Sequence, residues 1–454
     1  MSNRDVDPKD AAGWNPRQAY ERFRARLERG GIATAVSRGG GDFAYRQGDV
    51  LVAVEEREAE RISAVVRERF PFFGTPERAP GVLRFRSPQL REDTLATVQA
   101  LREAGFEAAP NTIFFGDTAY LGNPAYLGSP AYLGSPAYLG SPAYLGSPMA
   151  NTARPAPAPT DWPRGVRATS AGPVVAVLDT GLATAKDGDG GRQPAHPALR
   201  GHALVHSSWR DVADDLQADD EDEHDDDGDS ALDREAGHGT FIAGIVRRLA
   251  PEAVIRTEGV LTSFGDGDDF TVASALGRLV RDVPDVDVLN MSFGGYTEDD
   301  QPPLAVSRAI RAVRALKDRP VVVASAGNNG SCRPCWPAAL PDVIGVAALD
   351  CAGRAWFSNF GPWVKACAPG VDVVSTFFDG VAGAPVAWAG ASGPDVFQGW
   401  ARWSGTSFAA PKVAGAIAAR MAARGETAQQ AAYALVGDPG LFRLPDLGVV
   451  VNVA

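Results

Sequence analysis

The sequence predicts an α/β domain on a mostly parallel sheet over residues 161–454. A small α+β domain over residues 1–116 precedes it, and a repetitive linker over 117–160 joins the two. Three observations lead there. In the C-terminal part, fully apolar runs such as "VVAVLD", "VDVLNMSF", "PVVVASAG" and "VIGVAALD" alternate with helical stretches, as buried parallel strands do. In the N-terminal part, strand and helix periodicities alternate within a short span, the habit of a two-layer fold. Between them, one hexapeptide, "AYLGSP", recurs with little variation.

The N-terminal elements follow in order. "PRQAYERFRARLERG" (16–30) fits a surface helix begun by Pro16 and ended by Gly30. "GDVLVAVEE" reads as a strand, and "REAERISAVVRERF" as a helix with Ile62, Val65, Val66 and Phe70 on one face. "GVLRFR" is a second strand, and "REDTLATVQALREAG" a helix with Leu95, Val98 and Leu101 in line. "FEAAPNTIFF" closes the set as a strand. This order suggests a split βαβ, ferredoxin-like arrangement.

Bulk properties narrow the function. A formal charge of −12 argues against nucleic-acid binding and against docking on an anionic membrane. No apolar run is long enough to span a bilayer. The first residues, "MSNRDVDPKDAAGWNPRQ", carry no apolar leader, so a cytoplasmic location is expected, with export by another route left open. Four cysteines, Cys332, Cys335, Cys351 and Cys367, permit two disulfides, which the missing leader disfavours. Cys332 and Cys335 have CxxC spacing without a second pair, so disulfides or buried thiols are expected ahead of zinc.

Three stretches carry chemistry. "VVAVLDTGL" puts Asp179 at the end of a buried strand, "EAGHGTFIAGIV" puts His238 at the start of an apolar helix, and "WSGTSFAAPKVAGAIAA" puts Ser407 at the start of another. A hydroxyl nucleophile needs a base within hydrogen-bond reach, and the base needs an acid to fix its tautomer. Asn328, ending "VVVASAGN", offers a carboxamide donor for an oxyanion, with the backbone N–H of Ser407 as a second donor.

With these motifs, in this chain order, the sequence resembles the subtilisin-like serine peptidases over about residues 165–454. "DTG", "GHGT" and "GTSFAAP" match the family's three signatures, and "SAGN" its oxyanion stretch. The resemblance implies a doubly wound α/β serine endopeptidase working through an acyl-enzyme, with no cofactor needed for the chemistry. It implies that Ser292, Phe293 and Gly294 of "LNMSFGG" bind an extended peptide or protein substrate as an added strand. Ala324, Ser325, Ala326 and Gly327 would line the pocket before the scissile bond. Phe241 and Phe408 depart from the histidine and methionine common in the family. The resemblance also gives residues 1–116 a role as a propeptide-like domain, an intramolecular partner whose tail, "EAAPNTIFFG", lies along the active site. The alternatives are a maturation protease dedicated to one peptide and a catalytically silent peptide-binding scaffold.

Two features stay open. Twelve acidic residues lie between Asp211 and Asp229; they read as a solvated loop, with structural calcium or an acidic rim as functional alternatives. EF-hand spacing fails there, because the twelfth position counted from Glu223 is Arg234. The repeats hold too much Gly and Pro for helical solenoid units. They read as an extended tether or as a target for self-cleavage, with Leu–Gly bonds after Leu121, Leu127, Leu133, Leu139 and Leu145.

Overall fold

Strand β7 (Val174–Asp179) starts the C-terminal sheet in its middle, and the chain then builds outward on both sides. The computed structural model describes residues 25, 27–37, 41–116, 153–163, 165–168, 171–186, 192–205, 232–283, 285–316, 320–382 and 396–452. The 117–150 repeats and the 211–229 acidic run therefore lie outside the described residues, as do the five leucines just named.

In the N-terminal part, β1 (Ile32–Val36), β2 (Asp42–Ala53), β3 (Glu77–Ala79), β4 (Val82–Arg86) and β5 (Ala108–Gly116) form an antiparallel sheet. Its helices are α1 (Ala59–Arg69) and α2 (Thr94–Glu103). Alternation along β2 divides its side chains between two cores. Val50 and Val52 pack with Val66, Val98 and Leu101 of the helices, while Leu51 faces the other way, into a core shared with the C-terminal part. On α1 the buried face runs through Ala59, Ser63 and Val66, and Val65 stands 42% exposed. The expected apolar face was one residue too wide, since neighbouring helical positions diverge by about 100°.

In the C-terminal part, β8 (Thr184–Lys186) and β9 (Arg192–Pro194) form a hairpin, and β6 (Arg154–Pro155) joins β19 (Val373–Ala382) and β20 (Val396–Trp403) in a small sheet. The main sheet orders β10 (Ala203–Val205), β11 (Val254–Gly259), β7, β13 (Val288–Met291), β15 (Val321–Ser325), β16 (Val343–Asp350), β18 (Ala366–Pro369) and β22 (Gly448–Val450), all parallel. Short antiparallel strands, β17 (Gly353–Arg354) and β21 (Arg443–Leu444), pair with β16 and β22. Helices α3 (His238–Leu249) and α6 (Thr406–Arg424) cover one face. Helices α4 (Asp269–Asp282) and α5 (Leu304–Arg314) cover the other, and α7 (Ala428–Ala432) follows α6. On β7, Val175 and Val177 enter the first core, and Val174, Ala176 and Leu178 the second, which is why the strand reads as an unbroken apolar run. The strand order reverses beside β7, so the sheet is doubly wound and its site is expected at the carboxyl ends there.

The two parts share a sheet. Strand β5 runs between β12 (Asp266–Asp268) and β14 (Phe293–Gly294), antiparallel to both. Behind it, Arg46 Nε donates to Asp268 Oδ2 at 2.8 Å, and the Phe270 N–H donates to Asn111 Oδ1 at 3.0 Å. Surface pairs Arg308–Glu107 and Arg102–Glu298 flank the contact, both at 2.8 Å.

Asp269 caps α5, accepting from the Ala305 and Val306 N–H groups at 2.9 and 2.7 Å. Burial pushes its carboxyl from 3.8 up to about 7, against the pull of those donors and with added repulsion from Asp268. The folded chain therefore binds more protons than the unfolded chain between about pH 4 and 7, and this group's contribution to stability falls as pH rises through that window. In Asp269→Asn the Tm should lose that component of its decline between pH 4 and 7. Identical slopes in the two proteins would refute the assignment.

Candidate functional site

Asp179 ends β7 and His238 opens α3, and both are fully buried. His238 Nδ1 lies 2.6 Å from Asp179 Oδ1, which also accepts the Thr180 N–H at 2.8 Å. Two glycines make this approach. Gly237, at φ +82°, turns the chain into α3, and a Cβ there would sit 2.1 Å from the Phe377 ring. A Cβ on Gly239 would lie 2.1 Å from the Gly181 carbonyl oxygen, so α3 reaches β7 only with glycine at that point.

Ser407 is the second residue of α6 and is buried. Its Oγ donates to the Ser292 carbonyl at 2.9 Å, and Ser292 Oγ donates to the Ser407 carbonyl at the same distance. Asn290 Nδ2 donates to Ser292 Oγ at 2.9 Å, fixing that hydroxyl. Phe408, next in the helix, brings its ring centroid to 5.4 Å from His238, so the first turn of α6 abuts the imidazole. The departures at Phe241 and Phe408 pack on each other at 4.6 Å, and Trp403 stands edge-on to both His238 (5.7 Å) and Phe241 (5.8 Å). Phe408 and Trp403 thus set an apolar aromatic wall against the imidazole, with Phe241 packed behind both rings.

Asn328 follows Gly327, whose φ is +97° and whose absent Cβ would fall 2.4 Å from Asn359 Nδ2. Asn328 Oδ1 accepts from the Thr406 N–H (3.0 Å) and Thr406 Oγ1 (2.9 Å), which orients the carboxamide toward the start of α6. Ala324 and Ser325 end β15, and Ala326 and Gly327 continue from it; all four are buried. Ser292 precedes β14, which is made of Phe293 and Gly294. The structure thus brings Asp179 to His238, Ser407 to Ser292, and Asn328 to Thr406.

The edge formed by Phe293 and Gly294 is already paired. Phe293 faces Gly116 and Gly294 faces Phe115, while on the other side Asp266, Gly267 and Asp268 face Phe115, Phe114 and Ile113. Phe114 turns into the C-terminal core, 5.8 Å from the Phe293 ring, and Phe115 turns back onto Ile32 and Ala44. Gly116 donates its N–H to the Gly265 carbonyl at 2.8 Å. Sequence reading missed three participants: strand β12, the fully buried Glu235 beside Gly116, and the Arg46–Asp268 ion pair. Only Glu235 had a signal, as a carboxylate three residues before the site histidine.

None of the four cysteines forms a disulfide, and burial raises the Cys367 thiol to about 12. Among the described residues, no group of three or more His, Cys, Asp or Glu is placed to hold a metal, and no helix is long and apolar enough to cross a membrane.

Comparison with known proteins adds the following. The profile described as the subtilase family, peptidase S8, matches residues 170–436. A thermophilic serine proteinase of Bacillus sp. (strain AK1) is 31% identical over 278 residues, 59% of this chain and 56% of that protein. A subtilisin of Bacillus pumilus is 32% identical over 199 residues, 40% of this chain and 62% of that protein. Subtilisin E of Bacillus subtilis (strain 168) is also 32% identical over 199 residues, 40% of this chain and 45% of that protein. The chain spans about half the length of the curated relatives it matches.

Proposed function

The chain belongs to the subtilase family, and from that premise we propose that it is a serine endopeptidase hydrolysing peptide bonds through an acyl-enzyme. The observation that carries this reading is the 2.6 Å contact between His238 Nδ1 and Asp179 Oδ1, set against the helix turn that bears Ser407. The Asp179 carboxylate holds the proton on Nδ1 and so presents Nε2 as the base. Turning the Ser407 Cα–Cβ bond takes its hydroxyl from the Ser292 carbonyl to Nε2. The proton passes to Nε2 as Oγ attacks the substrate carbonyl, and His238 then returns it to the leaving amine. Water repeats the sequence on the ester and restores the hydroxyl. Apolar rings around His238 exclude competing water and strengthen the pairing with Asp179.

Asn328 and the Ser407 backbone N–H stabilise the oxyanion. Because Thr406 holds Oδ1, the amide's Nδ2 is the edge offered to that charge. Asn328→Ala should lower kcat by about 10²–10³-fold, about 2.7–4 kcal/mol, with little change in KM. An unchanged kcat on a fluorogenic peptide would remove Asn328 from the mechanism.

Substrate binds as an added strand along Ser292, Phe293 and Gly294, with the residue before the scissile bond against Ala324–Gly327. The seating of β5 along β14 supports reading residues 1–116 as a propeptide-like intramolecular inhibitor. If that antiparallel register were continued past Gly116, the next residue would fall opposite Ser292, whose carbonyl touches Ser407 Oγ. The bond that follows in this chain is Asp117–Thr118, and self-processing is assigned there.

A further inference from the structure

The end of β5 and the repeated hexapeptide share a pattern. Ile113-Phe114-Phe115-Gly116-Asp117 reads apolar, aromatic, large apolar, glycine, small polar. Each repeat reads Ala-Tyr-Leu-Gly followed by Asn or Ser, with the aromatic residue two before the glycine in every unit. These two positions are the ones the cleft specifies. Phe114 alone of its neighbours points into the C-terminal core, beside Leu261 and Phe293, and is fully buried. At Gly116 the space for a side chain is tight: a Cβ would sit 3.1 Å from Glu235 Cδ and 3.2 Å from Cγ, so Glu235 would have to give by a few tenths of an ångström. Glu235 is fully buried with Arg234 Nε 3.6 Å away, which limits the room it has to give. Phe115 packs back on Ile32 and Ala44, with Arg234 Cζ 5.8 Å from its ring; a leucine there would keep the apolar contact and give up the cation–ring one.

We propose that the AYLG units compete with the end of β5 for the cleft between β12 and β14, with the tyrosine in the Phe114 pocket and the glycine against Glu235. The inference rests on the peptidase reading for its consequence and on the β5 register for its geometry. Five tethered copies raise the local concentration of this ligand without any new contact. A phenol oxygen in an apolar pocket makes each unit a weaker occupant than Phe114, suiting exchange over permanent closure. The residue after each glycine would face Ser292, so the bond offered to Ser407 joins Asn123, Ser129, Ser135, Ser141 or Ser147 to proline, and not leucine to glycine. A proline nitrogen carries no hydrogen and its ring restricts the residue before it, so each unit occupies the cleft as an uncut inhibitor. The repeats are therefore a set of tethered competitors, and glycine is the residue the enzyme demands one place before the residue facing Ser292.

Two measurements on the full chain test this. The first uses a synthetic two-unit peptide, AYLGSPAYLGSP, against a fluorogenic substrate. Hydrolysis should show competitive inhibition, KM rising with kcat unchanged, and the peptide should keep its mass. A twin with both glycines replaced by valine should inhibit at least about tenfold less, about 1.4 kcal/mol. Equal inhibition by the twins, no inhibition by either, or cutting within a unit overturns the proposal. The second follows the anisotropy of the same labelled peptides on a Ser407→Ala, Arg46→Ala chain whose five repeat tyrosines are serine, a background with no hydrolysis and with the seating of β5 weakened. Preference for the glycine peptide there supports docking even if the wild type fails to react with a fluorophosphonate, an outcome that would sink the peptidase reading alone. Equal or absent binding of the two peptides overturns docking.

Discussion

Ser407→Ala should abolish hydrolysis of a fluorogenic peptide and labelling by a fluorophosphonate, leaving the fold intact. In a subtilisin, losing the nucleophile costs about 2 × 10⁶ in kcat, and a drop of that order is expected here. Among the described residues the hydroxyl donates to the Ser292 carbonyl at 2.9 Å, so its removal should cost the fold about 1 kcal/mol. Intact mass adds a second reading of the same pair of proteins. Wild type should lose the mass of residues 1–117, and Ser407→Ala should keep it. Retained fluorophosphonate labelling in the mutant would overturn the assignment of the nucleophile, and equal masses would remove self-processing.

Arg46→Ala should release the N-terminal segment from the cleft. The Arg46–Asp268 pair spans the two parts of the chain with side chains 9% and 0% exposed. Burial alone would raise the Asp268 carboxyl, but the Arg46 and Arg84 guanidiniums hold it down to about 2. Deleting Arg46 leaves the buried Asp268 carboxyl with Arg84 and the Thr271 N–H to offset it, at a cost of up to about 3–5 kcal/mol. Weaker seating of β5 should appear as shorter latency before peptide hydrolysis and as faster cutting of residues 41–116 by an added protease. Acid should act on the wild type in the same sense. The folded carboxyl titrates below its ordinary 3.8, so its contribution is complete above about pH 4 and is lost as pH falls through about 2. A latency unchanged by Arg46→Ala would show that the pair does not hold the segment.

The residues legible in the sequence are those whose environment is local. Asp179, His238 and Ser407 each end or begin an element, and the apolar run or small-residue helix that positions each lies beside it in the chain. The same holds for Phe293 and Gly294. Strand β12 was not legible, because "DGD" is made of residues that strands disfavour. It is extended only because β5, from a distant part of the chain, supplies its hydrogen-bond partners. Arg46 and Asp268 were hidden for the same reason, since neither carries a motif and only the packing of two sheets brings them together. Val65 was misread in the opposite direction, as an apolar residue on a helix whose core-facing stripe is narrower than its apolar composition.

The aromatic wall at His238 has a consequence for chemical endurance. Phe408 stands beside Ser407, where the family resemblance leads one to expect methionine, and Phe241 packs against it at 4.6 Å. Peroxide converts an accessible methionine to a polar sulfoxide, but the turn that bears Ser407 offers no sulfur to attack. Of the two methionines among the described residues, Met291 and Met421, Met291 adjoins Ser292 and is sealed inside β13 with no exposed surface. A sulfur beside the proposed pocket, the thiol of Cys335 against Gly327, is only 2% exposed, so what protects this centre from a mild oxidant is burial and the absence of a thioether on that turn.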